Sequence, residues 1–198
     1  MPGGRPRSYD PEAALNAAML TFWTQGYEGT AMSDLTTAMG MSAPSVYAAF
    51  GDKETLFRKA VERYMAGPGD YLRVALDQRT AEALARTFLH SAVEAVTGDD
   101  TPHGCLIVQS ALAVNPRAAS VQEYLTGLRE DGVQILADRL RSFPGADGLP
   151  PGSDPSSLAR LLVTVVQGLA VQAASGTERD ALRTVADQMM LCWPRKAE

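Results

Sequence analysis

Apolar residues recur at helical spacing along almost the whole chain, and no strand-like alternation bounded by turn signals interrupts them. The pattern predicts an all-α protein of about nine helices. The first opens with Asp10 as N-cap and Pro11 at its first position, and Leu15, Ala18, Met19, Phe22 and Trp23 form its apolar stripe until Gly26 stops it. Thr30 is expected to cap a short second helix ending at Gly40, and Ser42 a third from Ala43 to about Phe50. Gly40, Met41 and Ser42 make the turn between them. A fourth helix from near Asp52 turns Leu56, Phe57, Ala60, Val61 and Tyr64 inward until Gly67-Pro68-Gly69 breaks it. That break divides the chain into residues 1–66 and 67–198.

Beyond it, a short helical piece around Tyr71 to Leu76 precedes a helix capped by Thr80, with Leu84, Phe88, Ala92, Val93 and Val96 on one side. A loop from Gly98 to Pro102 leads to a helix from about His103 to Val114, which stops before Asn115-Pro116 because a pre-proline residue disfavours helical angles. The next spans about Arg117 to Ser142. Three prolines and three glycines between Phe143 and Asp154 predict a surface loop of variable, disordered shape. Asp154 and Pro155 restart a helix whose Leu158, Leu161, Leu162, Val165, Val166 and Leu169 form a wide apolar face, extended by Val163, Ala170 and Val171. Thr177 is expected to cap the last helix, with Leu182, Val185, Ala186, Met189, Met190 and Trp193 at the same spacing. These two helices carry more apolar surface than one monomer core can cover. Leu158 to Ala174 is interrupted by Arg160, Thr164, Gln167, Gly168 and Gln172, short of the roughly 18 apolar residues of a membrane helix, so no membrane partner is expected.

With 198 residues, 45% of them hydrophobic and 21% charged, the chain suffices for one large or two small folded domains. The opening MPGGRPRSYDPEAA has arginines but no apolar stretch behind them, so it does not read as a secretory signal, and a cytoplasmic location is expected. Cys105 and Cys192 then read as reduced thiols. Two histidines, His90 and His103, are too few for most metal sites, and no cofactor is expected. No Ser/His/Asp, metal or phosphate-loop constellation points to an enzyme. Eighteen Lys and Arg against 23 Asp and Glu give a net charge of -5, which excludes coating nucleic acid by bulk charge. DNA binding, if present, must come from local geometry.

The stretch TAMSDLTTAMGMSAPSVYAAFGDK, Thr30 to Lys53, supplies such a geometry: two short helices about a tight glycine turn, as in a helix-turn-helix whose second helix enters the major groove. Gly26-Tyr27, Thr30, Gly40 to Ser42, Ser45-Val46-Tyr47, Phe50, Lys53 and Leu56-Phe57 together resemble the N-terminal domain of TetR-family (AcrR-like) transcriptional regulators, over about residues 9 to 64. The resemblance implies a helix-turn-helix DNA-binding domain followed by a C-terminal helical ligand-binding and dimerisation domain. It implies a homodimer on a palindromic double-stranded DNA operator, most often a repressor released by a small-molecule effector.

Helix starts at Thr30, Ser42 and Lys53 can each hold a phosphate through unpaired N–H groups. Ala43, Pro44, Ser45, Tyr47 and Ala48 are expected on the exposed side of the recognition helix, with Val46, Ala49 and Phe50 beneath. By resemblance, Tyr47 and Lys53 contact phosphates and Ala43 to Ser45 face base edges. This helix lacks Arg, Asn and Gln, so bidentate base readout is excluded, and specificity must lean on thymine methyls, Ser45 and DNA shape. Arg5 and Arg7 form either a DNA-contacting arm or a solvated tail. Residues 1–64 hold six basic against seven acidic side chains, so each monomer should bind modestly and a dimer is needed.

By the same resemblance, the last two helices pair with their symmetry mates through Leu158, Leu162, Val165, Val166, Leu169, Leu182, Val185 and Met189. The effector cavity is expected among Phe88, Cys105, Gln109, Leu112, Tyr124, Leu128 and Gln167, with the two glutamines as polar contacts. Each of these also fits plain core. Cys105 reads as a small buried hydrophobe or as a redox- and electrophile-sensing thiol, and Cys192 beside Trp193 as packing. A helical interaction module without DNA binding remains a further alternative.

Overall fold

A computed structural model describes residues 9–111 and 118–195, so Arg5, Arg7 and Leu112 lie outside the described residues. Among these residues there are ten α-helices and no strand. They are α1 (Pro11–Gly29), α2 (Met32–Met39), α3 (Ala43–Phe50), α4 (Lys53–Met65), α5 (Tyr71–Leu76), α6 (Ala81–Val96), α7 (Leu106–Ala111), α8 (Ala119–Ser142), α9 (Pro155–Ala174) and α10 (Arg179–Leu191).

α1 starts where Asp10 Oδ1 accepts the Glu12 N–H at 2.9 Å, and it buries Ala14, Ala18, Met19, Phe22 and Trp23. Gly26, expected to end it, breaks the helical geometry at φ 69° and ψ 174°, after which the chain coils on to Gly29. The break sits where α1 meets α7: a Cβ at Gly26 would lie 3.3 Å from the Gln109 carbonyl oxygen. Trp23 crosses from α1 into the body of the protein, donating from Nε1 to the Gly104 carbonyl at 3.1 Å and packing edge-on against Tyr64 at 4.8 Å. The apolar interior is continuous from α1 to α10.

α4 packs on α1, α5 on α6, and α8, α9, α6 and α10 form the remaining bundle. Thr30 does not cap α2. Ala31 takes the N-cap position, and the Asp34 carboxylate at the third helical residue accepts its N–H at 2.8 Å. Thr30 is instead buried and donates to the Gly26 carbonyl at 2.7 Å. Thr177 likewise closes α9, bonding Gln172 through its N–H at 3.0 Å and its hydroxyl at 3.2 Å, while Glu178 precedes α10. The loop after α8, expected to be disordered, contains a 3-10 turn at Gly145–Asp147, and Phe143 is buried under the Arg139 guanidinium 4.1 Å from its ring. Trp193 packs in the core as expected, but its neighbour Cys192 is exposed because it faces the opposite side of the last turn.

By length and a mean hydropathy of 1.4, α9 is long and apolar enough to cross a membrane. It is nevertheless a packed bundle helix: Leu162, Val166, Leu169 and Ala173 are buried, and Arg160 forms a two-pronged ion pair with Glu130 of α8 at 2.9 and 2.6 Å.

Candidate nucleic-acid interface and effector cavity

Gly40, at φ 62°, lets the chain reverse after α2 and donates its N–H to Thr37 at 3.2 Å. Two residues later, Ser42 caps α3, its Oγ accepting the Ser45 N–H at 3.3 Å and bonding Ser45 Oγ at 2.8 Å. Val46 and Phe50 are buried, which turns the other face outward. Ala43, Pro44, Ser45, Tyr47 and Ala48 are all exposed there, Tyr47 at 50%, and Ala49 is half-buried. No charged side chain occurs between Gly40 and Gly51.

Cationic character enters at the start of α4. Lys53 Nζ sits 4.4 Å above the Tyr27 ring, a support that sequence reading missed although it had singled out Tyr27. Burial lowers the Lys53 pKa, and the nearby Glu28 and Asp34 carboxylates oppose that shift. Of the other cations near this face, Arg58 is paired with Glu54 at 2.7 Å and Arg63 with Glu12 at 2.5 Å.

The Arg58 and Glu54 pair also ties α4 to α8. Ser120 Oγ donates to Glu54 Oε2 at 2.7 Å, Arg58 Nη2 donates to the Ser120 carbonyl at 3.3 Å, and the Arg58 guanidinium stacks on Tyr124 at 4.3 Å. Tyr124 is therefore a support under α4 and does not line the cavity it was expected to line. The Ser120 hydroxyl, then Arg58, hold the Glu54 carboxyl below the usual carboxylate range. A depressed pKa stabilises the fold fully above the ordinary carboxylate range, and that contribution is lost as pH falls through the lowered value. Acid should loosen α4 from α8, and in Glu54→Gln the unfolding midpoint should fall less steeply between neutral pH and pH about 3. Identical pH profiles for both proteins would remove the tie's role.

A cavity of about 80 Å³ lies between α5, α6, α7, α8 and α9, walled by Tyr71, Phe88, Ile107, Leu136, Val163 and Val166, with Gly132, Arg129 and Gln167 among its lining. Of the expected effector residues, Phe88, Cys105, Leu128 and Gln167 line it. Gln109 does not, because its amide donates to the His103 carbonyl at 2.9 Å. Cys105 is buried against Tyr64, whose hydroxyl is buried without a well-formed hydrogen bond, and burial, then Cys105, push the Tyr64 pKa up. Arg129, Gly132 and Tyr71 were missed. Arg129 had a signal: it fills the slot between Leu125 and Val133 on the inward stripe of α8, where an apolar residue would be routine.

Within the single chain, the eight residues expected to pair the copies differ in burial. Leu162, Val166, Leu169 and Leu182 are buried within their own chain, Leu158, Val165 and Met189 are half-buried, and only Val185 of the eight is exposed. The outward apolar side chains of α9 and α10 are Leu161 (43%), Val171, Val185 (49%) and Leu191 (61%). A helix apolar around most of its circumference does not reveal which side faces its own core.

Residues 14–60 match the family described as Bacterial regulatory proteins, tetR family. The chain is 29% identical over 193 residues to the HTH-type transcriptional repressor ComR of Escherichia coli (strain K12), covering 96% of this chain and 92% of ComR. Among solved structures, it is 38% identical to a cysteine mutant of the TetR family transcriptional regulator CifR complexed with 26bp double-strand operator DNA, at a TM-score of 0.90 over 96% of this chain and 100% of that one. A putative TetR transcriptional regulator from Rhodococcus sp. RHA1 is 41% identical over 94% of this chain and 100% of that one, at a TM-score of 0.62. With the capped, outward-facing α3 and the full-length likeness to such regulators, this chain belongs to the TetR family of helix-turn-helix transcriptional regulators, which bind DNA rather than act as enzymes.

Proposed function

We propose that the protein is a cytoplasmic homodimeric repressor. Residues 1–66 bind a palindromic double-stranded operator, and residues 67–198 pair the two copies and receive a small-molecule effector. The observation that carries this reading is the α3 face: five consecutive-turn positions, Ala43 to Ser45 with Tyr47 and Ala48, stand exposed on a helix rigidly capped by Ser42. It is supported by the likeness to a regulator complexed with operator DNA. Two-fold symmetry sets the recognition helices about one DNA turn apart, roughly 34 Å. An effector filling the cavity between α7, α8 and α9 acts by favouring a dimer whose heads no longer match that spacing, with α4 and its Glu54–Ser120 tie as the link.

An anisotropy titration against the DNA upstream of the protein's own gene, at two salt concentrations, tests the DNA reading. One dimer per palindrome with salt-sensitive affinity supports it, and binding without salt dependence or sequence preference overturns it. In the same assay Tyr47→Ala should weaken binding about 100-fold while the dimer stays folded, because a hydrogen bond to a charged phosphate contributes about 1.5 kcal/mol and the dimer makes it twice. Loss of folding would instead assign Tyr47 to the core.

The cavity has its own test at Gly132, a helical glycine with nothing within 4 Å of the position a Cβ would take. Gly132→Ala should stabilise the protein by about 0.5–1 kcal/mol, since glycine is costly inside a helix. Gly132→Phe should fill the space, retain operator binding, and lose the thermal-shift hits that a library of small fragments gives with the unsubstituted protein. Hits that survive the substitution place the effector elsewhere.

A thiol trigger has one support of its own, the position of Cys105 in the same cavity wall. Repeating the operator titration with and without a thiol oxidant tests it: release by oxidant in the unsubstituted protein but not in Cys105→Ser would favour it over a reversible ligand.

A further inference from the structure

The effector reading above leaves the ligand's chemistry open, and the two lining side chains that carry N–H donors narrow it. Arg129 on α8 and Gln167 on α9 line the same space, whose other polar groups are the Tyr71 hydroxyl and the Cys105 thiol and whose remaining wall is apolar. Most guanidinium groups nearby are already committed. Arg160 is held by Glu130 at 2.6 Å, Arg58 by Glu54 at 2.7 Å, and Arg139 by the carbonyls of Leu76 and Gln78 at 3.0 and 2.6 Å. Arg129 differs. Among the described residues it pairs with no carboxylate, and its guanidinium makes one hydrogen bond, from Nη2 to Thr126 Oγ1 at 3.0 Å. The adjacent Glu130 is turned to Arg160, so it does not neutralise Arg129 at contact distance. The Gln167 amide has no hydrogen-bond partner among the described residues. An arginine at the cavity wall, with most of its donors unused and the Gln167 amide in the same lining, fits a planar anion that accepts two parallel N–H bonds.

We propose that the cavity takes a small aliphatic monocarboxylate, with the carboxylate on Arg129 and Gln167 and the alkyl tail against Phe88, Leu136, Val163 and Val166. This inference rests on the effector reading. The cavity volume of about 80 Å³ limits the tail. A cavity of about 150 Å³ holds benzene, so the space here suits about three or four carbon atoms beyond the carboxyl. The ligand bridges α8 and α9 through its head, and α8 carries Ser120, the residue that holds Glu54 of α4. Occupancy therefore bears on the helix that sets the DNA-binding head.

The test is isothermal titration of the full-length protein with sodium salts from acetate to octanoate at constant ionic strength, and with the matching primary alcohols. Arg129→Gln, Arg129→Lys and Gln167→Leu are titrated in parallel, and the operator affinity of each without ligand serves as the folding control. The expected result is tightest binding near butanoate or pentanoate. Arg129→Gln should lose at least 10-fold of the acid affinity, with operator affinity unchanged, and Arg129→Lys should lose less, because it keeps the charge without the two-pronged geometry. Gln167→Leu should weaken the acids more than the alcohols. Alcohols binding as well as acids, or acids binding equally to Arg129→Gln, would overturn the ligand class while leaving the cavity as the effector site. Failure of both series to bind overturns the carboxylate assignment alone, because the effector site is judged independently by the loss of fragment hits in Gly132→Phe.

Discussion

Introducing Leu161→Glu and Val185→Glu together is expected to split the dimer and abolish measurable operator binding. Both side chains stand nearly half exposed on α9 and α10, helices that also expose Val171 and Leu191 and so offer apolar side chains to a second copy. Burying each aliphatic side chain against a second copy contributes about 1.5–3 kcal/mol, and a buried unpaired carboxylate reverses that gain with several more. Neither side chain packs in its own chain's core, so each monomer should keep its helices and its unfolding midpoint. DNA binding should still fall by a factor of about 100 to 10,000, the avidity lost when the second head is no longer tethered to the first. Sedimentation should report a monomer and circular dichroism an unchanged helical content. A double variant that remains dimeric would move the pairing face away from α9 and α10.

Trp23→Ala should produce the largest loss of stability. The indole is fully buried, meets Tyr64 edge-on at 4.8 Å and is anchored to the Gly104 carbonyl. Truncation opens a cavity costing about 3–5 kcal/mol and leaves that carbonyl without its donor, a further 1–3 kcal/mol. Against a total of about 5–15 kcal/mol, this brings the protein close to unfolding at ambient temperature. Urea titration followed by tryptophan-independent circular dichroism should show the midpoint displaced by this amount. Trp23→Phe retains most of the ring and should lose only the smaller, hydrogen-bond part. Equal effects for the two substitutions would mean that the hydrogen bond, and not the packing, dominates the site.

The recognition unit was the most legible part of the chain because its signals are local. Asp10, Gly40, Ser42 and Asp52 act within three or four residues of where they stand, and the alternation of Val46 and Phe50 with Tyr47 and Ala48 assigns both faces of a short helix. Thr30 shows the limit of such reading: its hydroxyl turns back to the Gly26 carbonyl, and the helix starts one residue later at Ala31, whose N–H the Asp34 carboxylate accepts. The cavity depended on which helices meet, and this no local signal encodes. Gln109 had the right chemistry but a backbone carbonyl, His103, within reach. Arg129 was visible as a charge on an apolar stripe, yet its significance needed α9 opposite it. On α9 and α10 the apolar periodicity was legible, but which side chains the chain buries in its own core was not, since Leu161 and Leu162 are equally apolar and only packing separates them.

The absence of charge between Gly40 and Gly51 bears on how the regulator is distributed over a chromosome. Affinity for arbitrary sequence comes almost entirely from neutralised phosphates, each changing the salt exponent by about 0.9. A reading helix that presents methyl groups, two serine hydroxyls and a tyrosine therefore adds little to that affinity, which falls to the few cations beside it, Lys53 first. Such a molecule loses little of its population to the roughly million competing sites of a bacterial genome, and the free pool stays close to the total number of copies. Occupancy of the true operator can then be maintained by few molecules per cell.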